Sequence, residues 1–174
     1  FRHLDDAAFV DAAAEDLRDL VATTTSGDVA ALIAEPIQGV GGFAIPPDGF
    51  FAPVEKVCRE HDILYISDEV QTGWGRTGDH FWGYQAHGVT PDLMTFAKGI
   101  GNGLTLAGVV GRAEVMDAVP ANSISTFGGN PLSCAGALAN LRYLLDHGLQ
   151  ANAAAQGARF LDGLAPLAER FPAI

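Results

Sequence analysis

An α/β fold is predicted, a mainly parallel sheet with flanking helices, and two observations predict it. Short apolar runs of strand length recur at 29–34 (VAALIA), 63–67 (ILYIS) and 93–97 (LMTFA), as strands buried on both faces of a parallel sheet do. A stretch of helical period separates the first two runs, so that strand, helix and strand alternate in the manner of right-handed crossovers.

The elements follow in order. Residues 9–22 (FVDAAAEDLRDLVA) space their apolar side chains at three and four, which predicts an amphipathic helix closed by the polar stretch at 23–27. The first strand ends at Glu35-Pro36, and a Gly/Pro-rich segment follows. FFAPVEKVCREH at 50–61 reads as the helix leading into the second strand, and LAGVVG at 106–111 is a fourth strand candidate. From Pro131 to His147, and from about Leu149 to Phe171, Ala- and Leu-rich helical periodicity dominates, with Gly148 as the break.

Composition bounds the function. The chain has 174 residues, of which 48% are apolar and 18% charged, the balance of a core-forming globular protein. Ten basic against 21 acidic residues leave −11, and no basic stripe exists to neutralise phosphates, so a nucleic-acid partner is not expected. No apolar run approaches the ~20 residues that a membrane span needs. Cys58 and Cys134 are the two cysteines, too few for a disulfide framework, and a reducing, cytoplasmic compartment is expected. The sequence opens at Phe1 without methionine and closes on an apolar Phe-Pro-Ala-Ile, so it reads as a piece of a longer protein.

In an open α/β sheet, ligands gather outside the carboxyl ends of the strands. The three runs deliver Glu35, then Asp68-Glu69-Val70-Gln71, then Lys98 to that edge. Lys98 is one of two lysines, and the other, Lys56, lies on an ordinary solvated helix. Burial after an apolar strand would depress the lysine pKa and expose a neutral amine able to attack a carbonyl. The alternative is a lysine that salt-bridges Asp68. An acid in that position in turn seeks a cation, which a protonated heterocyclic nitrogen would supply, or else it caps the next turn. Asn130 and Pro131 announce a helix start. The glycines before them and the Thr126 hydroxyl suit a phosphate, the alternative being a cap without ligand. His61, Asp62, Asp79 and His80 show no recurring ligand spacing, and no metal is expected. An amine, an acid for a pyridinium nitrogen and a phosphate seat are together what pyridoxal phosphate requires.

EPIQGVGGFAIPPDGF at 35–50, ISDEVQTGWGRTGDHFWG at 66–83, PDLMTFAKGIGNGL at 91–104 and STFGGNP at 125–131 resemble the successive motifs of the class III aminotransferases, fold-type-I pyridoxal phosphate enzymes. The wording HFWGYQAHGVTPD and KGIGNG is similar to the alanine–glyoxylate (β-aminoisobutyrate–pyruvate) type. Leu104-Thr105 and Trp74 depart from the Leu-Pro and phenylalanine common there.

The resemblance implies a partial fold-type-I large domain over 1–147 and, over 148–174, a helix leading into a C-terminal domain. It implies Lys98 as the Schiff-base lysine that shuttles a proton, and Asp68 as the partner of the pyridine nitrogen. Val70 resembles the residue on the ring face, and Gln71 the contact near the phenolic oxygen. Thr126 is similar to the threonine that reaches the neighbouring subunit's cofactor phosphate across a homodimer interface, and Glu35 to a substrate-side acid. The implied reaction passes an amino group from an amino acid, ω-amino acid or amine to pyruvate, glyoxylate or 2-oxoglutarate. The alternatives are a mutase, racemase or decarboxylase on the same fold, or a non-catalytic fragment that keeps the fold and dimer surface.

Overall fold

The computed structural model describes residues 3–121 and 123–171. The first predicted helix is α1, Asp6–Thr24, longer than its periodicity because Asp5 caps it by accepting the Ala8 N–H at 2.9 Å. β1 (Ala31–Ala34), α2 (Phe51–Glu60), β2 (Leu64–Asp68), β3 (Leu93–Phe96) and β4 (Gly108–Gly111) follow, then α3 (Ala113–Met116), α4 (Pro131–Asp146) and α5 (Leu149–Arg170). The four strands form one sheet in the order β1-β2-β3-β4. β1 to β2 and β2 to β3 pair in parallel, whereas β4 runs antiparallel to β3.

The expectation of strands buried on both faces needs a correction at β1. Ala31 and Ile33 are exposed, Ile33 by 59%. β1 is an edge strand, and the described helices that pack here cover one face only. That covered face holds the core: Val21 of α1, then Phe51, Val54 and Cys58 of α2, then Ile63 and Tyr65 at β2, and Val89. Each large apolar side chain fully buried there is worth roughly 1.5–3 kcal/mol. Cys58 lies inside this cluster as a free thiol, and Cys134 is free and exposed.

Two carboxylates are fully buried beside this core, and each is solved differently. Asp92, at the entry to β3, is 1% exposed. It receives two bonds from the Arg59 guanidinium at 2.7 and 2.9 Å, one from Arg112 at 2.8 Å and one from the Tyr65 N–H at 2.9 Å. Its own N–H donates to the Tyr65 carbonyl, and its carbonyl accepts from Arg112 N–H. One residue thus ties α2, β2, β3 and the end of β4 together. Burial alone would push its carboxyl up, but the bonds from Arg59, Tyr65 and Arg112 hold it below the ordinary carboxylate value.

Glu69 follows β2 directly, is wholly buried, and forms no ion pair among the described residues. Four donors satisfy it instead. Ser67 and Thr72 hydroxyls donate at 3.0 and 2.6 Å, and the Gly83 and Tyr84 N–H groups donate at 2.8 Å each. A buried charge is tolerated when its lone pairs are filled in this way. The consequence is topological: the loop after β2 is stitched to residues 83–84, fourteen and fifteen positions further on.

Both acids yield predictions. A carboxyl with a depressed folded pKa contributes stability above its unfolded pKa of about 3.9, and that contribution is lost as pH falls through the folded value. Urea unfolding of the protein between pH 7 and pH 3 is therefore expected to show stability falling below about pH 4, with Asp92→Asn flattening that acid limb. At pH 7, Asp92→Asn is expected to cost about 1–3 kcal/mol, since it weakens the arginine bonds while both arginines stay solvated. An acid limb unchanged in the variant would refute the role. Glu69→Gln turns one oxygen into an NH2 that faces donors, and its expected cost is likewise about 1–3 kcal/mol, read as a lower thermal midpoint. An unchanged midpoint would contradict the four-donor account.

Candidate functional site

Parallel pairing brings the carboxyl ends of β1, β2 and β3 to one edge. Asp68 closes β2 and is in register with Thr95 of β3, one strand spacing or about 4.8 Å away, three residues before Lys98. Ala34, the residue before Glu35, pairs with Ser67. Glu35 and Asp68 consequently line one cleft of about 540 Å³, with Ala34, Gln38, Ile45 and Phe50 among its walls.

Asp68 is half-buried, and its Oδ1 accepts the Val70 N–H at 3.0 Å. This is the turn-capping geometry that the sequence left open for it, and it uses one oxygen. The other oxygen has no partner among the described residues. Val70 is half-buried and Gln71 exposed.

Lys98 begins a short 3-10 turn two residues beyond β3. Its φ is +44°, the left-handed region that a lysine seldom occupies. The expectation of a desolvated amine is not met, because Lys98 is exposed. The packing falls on the residues after it instead: Trp74 lies against Gly99, and Asn140 bonds the Gly99 and Ile100 carbonyls. The alternative of a salt bridge to Asp68 is not realised either, since no ion pair within 4.0 Å joins the two side chains. The register places Asp68 beside Thr95, with Lys98 three residues further along the chain from that edge.

Glu35 is engaged locally. Its Oε2 accepts the Gly39 N–H at 2.8 Å, and the Gly/Pro-rich loop folds back through Gln38 N–H to the Ala44 carbonyl. A Cβ at Gly39 would stand 2.8 Å from Gln71 Nε2 and 3.1 Å from Glu35 Oε2, so the ends of both side chains lie close against this glycine. Glu35 and Gln71, singled out separately in the sequence, meet at this glycine.

Thr126 is exposed in the turn that precedes α4. Asn130 caps the helix as predicted, its Oδ1 accepting the Ser133 N–H at 2.9 Å while its Nδ2 donates to the Phe127 carbonyl. Beside the turn is a hollow of about 740 Å³, walled by residues 103–107 on one side and by Ser125 and residues 127–130 on the other. The tail of the lysine loop and the threonine turn therefore border one space, separate from the cleft that holds Glu35 and Asp68.

Three residues that shape this edge received no role from the sequence. Glu69 had a legible signal, since a charge directly after an apolar strand is flanked by hydroxyls at 67 and 72 that can serve it. Trp74 sits in a cluster of edge-to-face rings with Phe81, Trp82 and Phe96, its indole N–H buried without a partner. Asn140 lies on the Ala/Leu-rich helix α4, 40 and 41 positions from the carbonyls it holds, and carried no local signal.

Comparison with known proteins agrees with this geometry. The family model described as aminotransferase class-III matches residues 3–174. The chain is 47% identical over 148 residues to the 4-aminobutyrate aminotransferase GabT of Escherichia coli, covering 84% of this chain and 34% of that protein. It is 40% identical over 159 residues to the mitochondrial alanine–glyoxylate aminotransferase 2 of Homo sapiens, covering 90% and 31%. It thus spans about a third of the length of the curated relatives it matches. Among solved structures, an amine transaminase from an uncultivated Pseudomonas species in its PLP-bound form superposes with a TM-score of 0.88 at 37% identity, covering 97% of this chain and 40% of that one. An (S)-enantioselective omega-transaminase from Thermomicrobium roseum gives 0.86 at 42% identity, covering 97% and 39%. On these grounds the chain belongs to the class III aminotransferase family, and its sheet and helices are a part of the fold-type-I transaminase architecture.

Proposed function

We propose that this chain is part of a pyridoxal phosphate-dependent aminotransferase that moves an amino group from an amino acid, ω-amino acid or amine to pyruvate, glyoxylate or 2-oxoglutarate. One observation carries the reading. Asp68 and Lys98 leave adjacent parallel strands at one edge, unpaired with each other, and Asp68 keeps an unengaged oxygen.

The residues present fit the cofactor. When bound, pyridoxal phosphate supplies an aldehyde carbon that bonds amines and a ring that accepts electrons from the substrate carbon. Lys98 is the amine that would hold the cofactor, and its Nζ would carry a proton to and from the substrate carbon. Asp68 keeps a proton on the ring nitrogen through its free oxygen, while its other oxygen stays fixed on Val70 N–H. Val70 packs on the ring face, and Gln71, beside Gly39, serves the phenolic oxygen. Glu35 stands on the substrate side of the cleft that it shares with Asp68.

Thr126 and the open turn before α4 serve the phosphate of a second subunit, which makes the functional unit a homodimer. Residues 1–147 belong to the cofactor-binding domain, and the helix from 148 onward leads toward a further domain. No described helix is long and apolar enough to cross a membrane. The two free cysteines fit a reducing compartment, the cytoplasm or a mitochondrial matrix.

In the full-length protein, added pyridoxal phosphate is expected to give a near-visible absorbance band that borohydride fixes covalently on the peptide carrying Lys98. Lys98→Ala should lose both the band and the adduct, and an adduct on Lys56 instead would overturn the assignment. Turnover should require a keto acid, whereas racemisation or decarboxylation without one would move the reaction to a different class. Asp68→Asn is expected to lower kcat by about 10²–10³-fold, the scale of removing one preorganised electrostatic contact from a reacting group. A variant within twofold of wild type in single-turnover kinetics would exclude that role.

A further inference from the structure

Lys98 occupies left-handed backbone, and such a residue persists only where its surroundings over-determine it. The 3-10 turn itself supplies little, with Ile100 N–H reaching the Ala97 carbonyl at 3.3 Å and Gly101 N–H the Lys98 carbonyl at 3.1 Å. The remaining constraints come from two distant elements. On one side the Trp74 ring edge stands 3.1 Å from where a Cβ on Gly99 would be, which fits the ring tightly against the bare backbone. On the other, Asn140 of α4 donates through its single Nδ2 to the Gly99 carbonyl at 2.8 Å and the Ile100 carbonyl at 3.2 Å. α4 packs on this same turn. Both carbonyls lie within two residues of the lysine, so the bonds fix the direction in which the chain leaves it.

We propose that Asn140 is a positioning residue for Lys98, holding the strained lysine turn so that the amine is presented at the Asp68 edge. Its chemistry suits the task. A carboxamide NH2 has two donors, one for each carbonyl, and an uncharged group does not perturb an amine a few residues away. Asn140 lies on the helix whose capped start follows Thr126, so the lysine turn and the threonine turn are set by one rigid rod. The inference rests on reading Lys98 as the reacting amine, and the test separates the two.

Hydrogen exchange of the cofactor-free protein reports the clamp directly. Asn140→Leu keeps the number and branching of side-chain heavy atoms and removes both donors, and it is expected to speed exchange at Ile100, Gly101 and Leu104 about tenfold, the effect of losing two modest bonds. The rate of borohydride-trapped pyridoxal phosphate adduct at Lys98, with Lys56 labelling as internal standard, should fall by a similar factor. Asp92→Asn lowers stability elsewhere and should leave both readouts within twofold. Asn140→Asp places a carboxylate against two carbonyls without changing shape; it should match or exceed the leucine variant, and it serves if that variant does not fold.

Exchange and adduct rates both unchanged would overturn the proposal. Loosened exchange with a normal adduct rate would also overturn it, leaving Asn140 a structural bond only. If wild-type protein forms no adduct at Lys98, the assignment of that lysine fails. The positioning role falls with it, and loosened exchange then shows Asn140 as a structural bond to the turn only.

Discussion

Parallel pairing of β1, β2 and β3 is the constraint from which the rest follows. In a parallel sheet every strand leaves on the same side, so whatever residue ends a strand is delivered to one edge. Glu35, Asp68 and Lys98 are 33 and 30 positions apart in sequence, yet the register Ala34 to Ser67 and Asp68 to Thr95 brings the strand ends that deliver them to one edge. Antiparallel β4 departs from the pattern without disturbing it. It pairs on the far side of β3, and its turn back carries residues 103–107 to the hollow beside the threonine turn. The edge therefore offers two separate spaces, a cleft with two acids and a hollow bordered by glycines and hydroxyls.

A strand edge is a poor platform unless the loops leaving it are fixed, and here buried charge fixes them. Glu69 and Asp92 are both removed from water, but they are stabilised by opposite means. Asp92 is neutralised by two guanidinium groups and holds the amino-terminal side of β3 against β2 and α2. Glu69 has no counter-charge, so its four donors include two main-chain N–H groups from a segment fourteen residues on. The difference shows in what each acid ties: neutral donors let Glu69 hold the loop after β2 to residues 83–84 without an ion pair beside Asp68.

Much of this was legible in the sequence, and the part that was not has a physical cause. Apolar runs bounded by Gly and Pro located every strand to within a few residues, and the Asn130-Pro131 start and Gly148 break set α4 and α5. These are local signals. The exposure of Ile33 was not local, since an apolar run records that a strand is apolar and not which faces the neighbouring elements cover. For the same reason Lys98 read as buried: a lysine after an apolar strand implies desolvation only if something packs over its side chain, and here the packing falls on Gly99 and Ile100. Glu69 was half legible, its hydroxyl donors lying nearby in sequence and its main-chain donors not. Asn140 was beyond reach, because a contact across 41 residues leaves no mark on a single sequence.

An exposed, strained lysine beside an acid with one free oxygen also says where control of this site resides. In a desolvated pocket, burial would set the amine's reactivity and a small change in packing would shift it. Lys98 is exposed in this chain, and the backbone just after it is held at the Gly99 and Ile100 carbonyls by Asn140. The same division appears at Asp68, where one oxygen is spent on Val70 N–H so that the other keeps a fixed aim. At both places orientation is set by uncharged hydrogen bonds one or two residues away, and no ion pair joins Lys98 to Asp68. On the proposed reading, a charged ring would meet two groups that no ion pair joins, with none to be broken first.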